Sequence, residues 1–350
     1  MSSKKLVLVV GAGASQEARL PTGYELRGRI ASILGFKFDD HDRQVLGDRM
    51  VREALVLTVN KSSGEADELG RYYKAAKLIS NSMPLATSID SFIHMHRQNR
   101  ELELCGKLAI VRSLLQAEQQ SPMMVDQSNS RNTLDCSLLA DTWFIPLFQL
   151  LTRDCSLPEL PDRLGSVVLV VFNYDRCIEH FLHETLKITY GLSTEEAAKL
   201  LSHLRIYHPY GVVGSLPWQG MKPAVPFGGE PNAHSLLELA STIRTFTEGT
   251  DPVASEVEDI RKHVANATHL VFLGFAFHEL NLALLRPHGG SVHPNDVRII
   301  ATGHGMSEPN RDATKDELNE VFASPCGDNA RIELQLRCSS LIRDYWKQLA

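Results

Sequence analysis

Residues 5–10, Lys-Leu-Val-Leu-Val-Val, form a short apolar run that leads straight into Gly11-Ala12-Gly13-Ala14-Ser15. A buried strand entering a small-residue turn and then a helix is how α/β proteins build a phosphate site. The turn lets the backbone come close to a ligand, and the helix N-terminus offers unpaired N–H groups. This stretch therefore predicts a nucleotide-binding α/β chain. The dinucleotide fingerprint G-x-G-x-x-G asks for a third glycine to bring helix and strand together, and Gln16 stands in that place. On these residues alone an ordinary tight strand-to-helix turn remains open.

Size and composition narrow the class. A chain of 350 residues makes one large domain or two ordinary ones. With 43% hydrophobic and 22% charged residues it has the make-up of a globular protein with a core of useful size. A net charge of −6 gives no sign of a nucleic-acid-binding surface, so no direct nucleic-acid contact is expected. The 6 cysteines, at 105, 136, 155, 177, 326 and 338, form no C-x-x-C pair and no zinc pattern. Scattered thiols of this kind fit a cytoplasmic protein. The first apolar run is short and ends in glycines, unlike a signal peptide. No run approaches the ~20 apolar residues that span a bilayer, so no membrane association is expected.

Strand-like runs recur at 167–172, 205–207, 269–273 and 297–301, with an edge strand expected over 331–336. Helical spacing marks 24–34, 66–79, 88–96, 101–118, 134–153, 177–186, 234–246 and 254–266. Ser193 to Glu196 and Thr314 to Glu317 read as capping boxes. Residues 119–133 and 214–233 read as loops. Strands alternating with helices imply a mostly parallel sheet. The expected architecture is a Rossmann-like domain over 1–38 and 160–350, with a mostly helical small domain inserted at 39–159.

Ligands bind outside the carboxyl ends of such strands. The ends to inspect are Gly11 to Ser15, Asn173 to Asp175, His208, and Gly274 to Phe277 followed by His278 and Asn281. Each has a plain structural alternative: a capping pair for Asn173 and Asp175, a core histidine for His208, a turn at Gly274. Asp90, in Thr87-Ser-Ile-Asp-Ser-Phe92, reads first as a helix cap and second as a ligand contact. Gly303-His304-Gly305 follows the last buried strand and is a candidate for the adenosine end of a nucleotide. His94 with His96, and His180 with His183, have metal-ligand spacing but no third ligand, so no metal is expected.

Taken in order, Gly11-Ala-Gly-Ala-Ser15, Leu20-Pro-Thr22, Ser88-Ile-Asp-Ser-Phe92, Phe172-Asn-Tyr-Asp175, Tyr207-His208 to Gly211 and Leu273-Gly-Phe-Ala-Phe277 resemble the sirtuin-like NAD hydrolases of bacterial anti-phage defence. The resemblance runs from about residue 5 to residue 305. It implies NAD as substrate, with Gly11, Ala12, Gly13 and Ser15 cradling the diphosphate. It further implies that Pro21, Thr22, Gly274, Phe275 and Asn281 complete the NAD site. Asn173 and Asp175 match the Asn and Asp of the sirtuin motif Thr-Gln-Asn-Ile-Asp, and His208 matches the catalytic histidine. In sirtuins glycine follows that histidine directly, whereas Pro209 and Tyr210 precede Gly211 here. A homo-oligomer is implied, as is a partner such as a helicase or ATPase of the same defence system.

The residues so placed suit cleavage of the nicotinamide–ribose bond. Nicotinamide in NAD already carries positive charge and leaves without a general acid, through an oxocarbenium-like transition state. Asn173 would position a water or the ribose hydroxyls, Asp175 would hold the bound geometry, and His208 would act as base. An NAD or ADP-ribose sensor, or a regulatory subunit, is the alternative. A deacylase is disfavoured because no cysteine lies between His208 and Gly274 to build the zinc module of that branch. A dehydrogenase is disfavoured by the missing third glycine.

Overall fold

The computed structural model describes residues 5–61, 66–126, 132–245, 248, 256–287, 297–322 and 330–350. Its strands are β1 (Leu6–Val10), a small hairpin β2 (Lys37–Phe38) and β3 (Gln44–Leu46), then β4 (Val167–Val171), β5 (Arg205–Tyr207), β6 (His269–Leu273), β7 (Arg298–Thr302) and β8 (Ala330–Glu333). Every residue of β1, β4 and β6 is buried, which is why these strands read as near-continuous apolar runs. They pair in parallel register, with Leu8 between Leu169 and Val271. The 6-stranded sheet has the order β5-β4-β1-β6-β7-β8, all parallel. Numbered by chain order within the sheet, this is the 3-2-1-4-5-6 arrangement of doubly wound nucleotide-binding sheets.

Side chains alternate across each strand, so the sheet feeds two cores. Leu6, Leu8 and Val10 of β1 enter one core, while Val7 and Val9 enter the other. On the first face lie α7 (Phe144–Thr152), α8 (Leu160–Gly165), α9 (Cys177–Tyr190), α10 (Thr194–Leu201), α15 (Cys338–Asp344) and α16 (Trp346–Leu349). On the second lie α12 (Val257–Ala265), α13 (Glu279–Leu285) and α14 (Glu308–Phe322). A third core belongs to a helical cluster: α2 (Gly23–Leu34), α3 (Arg49–Lys61), α4 (Ala66–Ser82), α5 (Ile89–Met95), α6 (Arg100–Gln119) and α11 (Ala233–Ala240).

The cluster therefore differs from a contiguous 39–159 block. The apolar stripe of α2, Leu26, Ile30, Ile33 and Leu34, is buried in it although α2 precedes residue 39. Conversely, Phe144, Leu147 and Leu151 of α7 pack beneath the sheet with Phe181.

Three local expectations also change. The helix expected over 134–153 is a 3-10 turn at Cys136–Leu139 followed by α7. The break is set by Trp143, which is fully buried and donates its backbone N–H to Glu17 Oε2 at 2.6 Å and its indole N–H to Ala14 O at 2.9 Å. Thr314 and Glu317 lie inside α14 and cap nothing; Ser307 Oγ accepts from Asn310 N at the start of that helix instead. The helix expected over 234–246 ends at Ala240, where Ser241 and Thr242 close the turn. Residues 127–131 of the expected loop, Phe246, residues 254–255 and Cys326 lie outside the described residues. The Ser193–Glu196 capping box is present at the start of α10.

One ion pair ties the helical cluster to the sheet. Arg176, just before α9, meets Glu118 of α6 at 2.5 Å, with 1% and 0% of their side chains exposed. Arg176 also donates to Val225 O at 2.6 Å, and Glu118 accepts from Gly228 N at 2.8 Å. The pair thus fixes the 214–229 segment against both layers. No helix among the described residues is long and apolar enough to cross a membrane.

Candidate functional site

Beyond β1 the chain works outward through β4 and β5, then returns to the other side of β1 with β6. Loops on the two sides diverge there and leave a crevice at the carboxyl ends. A cavity of about 690 Å³ fills it. Its lining includes Gly11 to Gly13 after β1, Phe172 after β4, Tyr210 after β5, Gly274 to Ala276 after β6, Gly303 to Met306 after β7, and Arg337 and Cys338 after β8. The ends of all 6 sheet strands therefore meet one space.

The glycines explain how β1 and β6 come so close. A Cβ on Gly11 would stand 2.5 Å from Gly274 O, and one on Gly13 2.9 Å from the same atom. Gly274 itself takes φ +56°, in the left-handed region that favours glycine. Gly11 N donates to Leu273 O at 2.9 Å, Gly13 N to Gly274 O at 3.0 Å, and Ala14 N to Gly11 O at 3.0 Å. Two amides of the turn are thus committed to joining the strands, and a third closes the turn on itself. The turn offers a ligand close backbone approach rather than a nest of open donors, and the helix after it, α1 (Ala12–Ser15), lasts one turn.

Among the expected site residues, Gly11, Ala12, Gly13, Thr22, Gly274, Phe275 and Asn281 line the cavity. Thr22 also caps α2 in a reciprocal box with Glu25. Pro21 is buried beside it and does not reach the lining. Ser15, Asn173, Asp175 and His208 lie behind the floor instead.

Those four form one hydrogen-bonded unit. Asn173 Nδ2 donates to Gly11 O at 3.0 Å and to Ser15 Oγ at 2.8 Å. Ser15 Oγ donates to Asp175 Oδ2 at 2.7 Å, and Asp175 Oδ1 accepts from Cys177 N at 3.1 Å. His208 lies 3.1 Å through Nδ1 from Asn173 O and 2.7 Å through Nε2 from Glu179 Oε1. Burial opposes charge on His208, but the Glu179 carboxylate and the Asn173 carbonyl outweigh it and hold its pKa above the ordinary imidazole value. Glu179 moves the opposite way: burial opposes its charge, yet His208 and Arg176 hold its pKa low. Both shifts describe a buried imidazolium–carboxylate pair. With both ring nitrogens engaged, His208 orients Asn173 and has no nitrogen left to act as the base expected of it. The side-chain Oδ1 of Asn173 is buried and has no hydrogen-bond partner among the described residues.

The opposite wall comes from the helical cluster and from the loops after β6 and β7. Asp90 of α5 lines the cavity and accepts a hydrogen bond from Tyr174 Oη. Its expected capping role falls to Ser88, whose Oγ accepts from Ser91 N at 3.0 Å. Burial pushes the Asp90 carboxyl up, against the pull of Tyr174 and His278. Tyr210 donates to Asn281 Oδ1 at 2.6 Å and stacks edge-on against Phe172, 5.7 Å between centroids. Pro209 and Tyr210 therefore deliver an aromatic hydroxyl to the wall. Gly303, His304 and Gly305 line the cavity as well.

Sequence reasoning left out Arg27 and Arg337, which line the cavity together with His94 and His278. Their positions on helix and loop surfaces carry no local signal. The spaced histidines serve packing: His180 stacks on Phe227 at 4.1 Å and meets Met123 O through Nε2, and His183 stacks on Trp218 at 4.4 Å. No group of three or more His, Cys, Asp or Glu among the described residues is placed to hold a metal ion. No model of a known protein family matches the chain, and no curated protein or solved structure matches it.

Proposed function

We propose that the chain is an NAD hydrolase of sirtuin-like, Rossmann-like architecture, cleaving NAD to nicotinamide and ADP-ribose. The observation that carries this reading is the cavity of about 690 Å³ where the strand order reverses, floored by Gly11, Gly13 and Gly274. Ligand pockets generally hold ~300–1,000 Å³, and doubly wound sheets bind dinucleotides at this point. Arg27 and Arg337 bring positive charge to the lining, which suits a diphosphate. Asn173 lies one hydrogen bond behind Gly11, and its orphaned Oδ1 is an acceptor that a buried water under the floor would satisfy. Asp175, through Ser15, and His208, through the Asn173 carbonyl, hold that amide in place. The wider role, a cytoplasmic anti-phage effector that depletes NAD as a homo-oligomer with a helicase or ATPase partner, rests on the resemblance of the motifs.

One observation favours a second reading. A His208 with both nitrogens engaged suits a protein that binds NAD or ADP-ribose as a sensor or regulatory subunit without cleaving it. Calorimetric titration with NAD and an assay of nicotinamide release separate the two, using wild-type, Asn173→Ala and His208→Ala proteins. The hydrolase reading expects turnover by wild type and a loss of ~10²-fold in each variant, because each disturbs the positioning that Asn173 supplies. Binding without turnover supports the sensor, and no binding overturns both.

A further inference from the structure

The hydrolase reading leaves a chemical gap, because its expected base does not reach the cavity. The wall contains a group that does. Two carboxylates line the cavity among the described residues, Glu17 and Asp90. Glu17 is occupied: Oε2 accepts from Trp143 N at 2.6 Å and Oε1 from Ser339 N at 3.3 Å. Asp90 is not needed as the cap of α5, since Ser88 does that. It is held from the other side by Tyr174, whose neighbours in sequence, Asn173 and Asp175, point back to the Gly11–Ser15 turn. One short segment after β4 thus fixes the orphaned Asn173 amide below the cavity and the Asp90 carboxylate in its wall.

We infer that Asp90 is the catalytic carboxylate of the NAD cleavage, with Tyr174 as its positioning residue; the assignment rests on the hydrolase reading. The bond between ribose C1′ and nicotinamide N1 breaks, and its electron pair leaves with nicotinamide as a neutral molecule. Water oxygen bonds to C1′ of the developing oxocarbenium ion. Asp90 takes the proton that this water loses and passes it to solvent, so that NAD and water give nicotinamide, ADP-ribose and one proton. A carboxylate facing the sugar also stabilises the positive charge that grows on it.

The titratable groups that face Asp90 are Tyr174 after β4, Tyr210 after β5 and His278 after β6, with Arg27 of α2 and His94 of α5 on the same lining; Glu248 acts on Tyr174. Tyr174 lowers the pKa of Asp90 by donating to it. Removing that donor must therefore raise it.

The test compares wild type, Asp90→Asn and Tyr174→Phe for NAD affinity, nicotinamide release and thermal midpoint. Asp90→Asn is expected to keep its fold, with a midpoint at or above that of wild type, because a partly buried acid is replaced by a neutral amide that can still accept from Tyr174. It should bind NAD within about threefold of wild type and lose ~10²–10⁴-fold in kcat. Tyr174→Phe should shift the acid limb of the kcat profile to higher pH. Unchanged kcat in Asp90→Asn, or an unshifted acid limb in Tyr174→Phe, overturns the assignment and leaves the hydrolase reading standing. A wild-type protein that binds NAD and releases no nicotinamide overturns the hydrolase reading and the assignment with it.

Discussion

The two sides of the cavity floor are built in opposite ways. Behind it, the ends of β1, β4 and β5 and the start of α9 carry Ser15, Asn173, Asp175, Glu179 and His208 in one hydrogen-bonded network, in which Asn173 Oδ1 and Glu179 Oε2 are the side-chain oxygens without a partner among the described residues. In front of it, α5, the 274–281 segment and the 303–306 loop bring Asp90, His278 and His304 to the cavity, and Tyr210 reaches it from beyond β5. Buried charges need partners to remain charged, so a group that has satisfied its partners is good at holding geometry and poor at exchanging protons with a substrate. On the proposed reading, the difference gives positioning to the strand-end motif and chemistry to the helical wall.

The largest effect should come from breaking the closed side. Glu118→Ala removes the partner of Arg176 and leaves an uncompensated buried guanidinium, a change that typically costs about 3–5 kcal/mol. Urea unfolding should show a loss of that order, with the 214–229 segment exchanging faster. A loss below about 1 kcal/mol would mean that the pair is not the joint between the helical cluster and the sheet.

A smaller effect should follow the Glu179–His208 pair. The folded carboxylate lies below its ordinary value of 4.5, so it stabilises the fold above that value and loses the contribution as pH falls through its folded pKa. The folded imidazole lies above its ordinary value of 6.5, so it stabilises fully below that value and loses the contribution as pH rises through its folded pKa. Both contributions are complete only between 4.5 and 6.5. Between about pH 6 and about pH 9 the thermal midpoint of wild type should fall more steeply than that of Glu179→Gln. Parallel slopes would show that the pair is not ionised.

The smallest effect belongs to the open side. Tyr210→Phe loses the hydrogen bond to Asn281, worth about 0.5–1.5 kcal/mol. Thermal unfolding should register that much, and NAD affinity should change more than stability does. The reverse ranking would place Tyr210 with the structural network.

The sheet was legible because its central strands are buried on both faces and read as apolar runs with polar ends. The candidate site was half legible, for a physical reason. Asn173, Asp175 and His208 stand directly after strands, where local pattern points to them, and they do come together with Ser15. Their distance from the cavity surface depends on Glu179, which meets His208 across 29 positions of sequence, and on the amides of Gly11 and Gly13. Asp90 was ambiguous because Ser88-Ile-Asp-Ser91 offers two residues able to cap. What decides between them is Tyr174, 84 positions away. Likewise the break before Trp143 depends on Glu17 and Ala14, and the Thr314–Glu317 pattern shows that S/T-x-x-E also occurs within helices.

The proposed NAD site lies where the strand order reverses and is worked from its helical wall. Hydrogen exchange of the wild-type protein with and without saturating NAD tests it most directly. Protection is expected to concentrate in residues 11–16, 87–94, 274–281 and 303–306, four segments that line the cavity. NAD binding that leaves those four segments unprotected would contradict it.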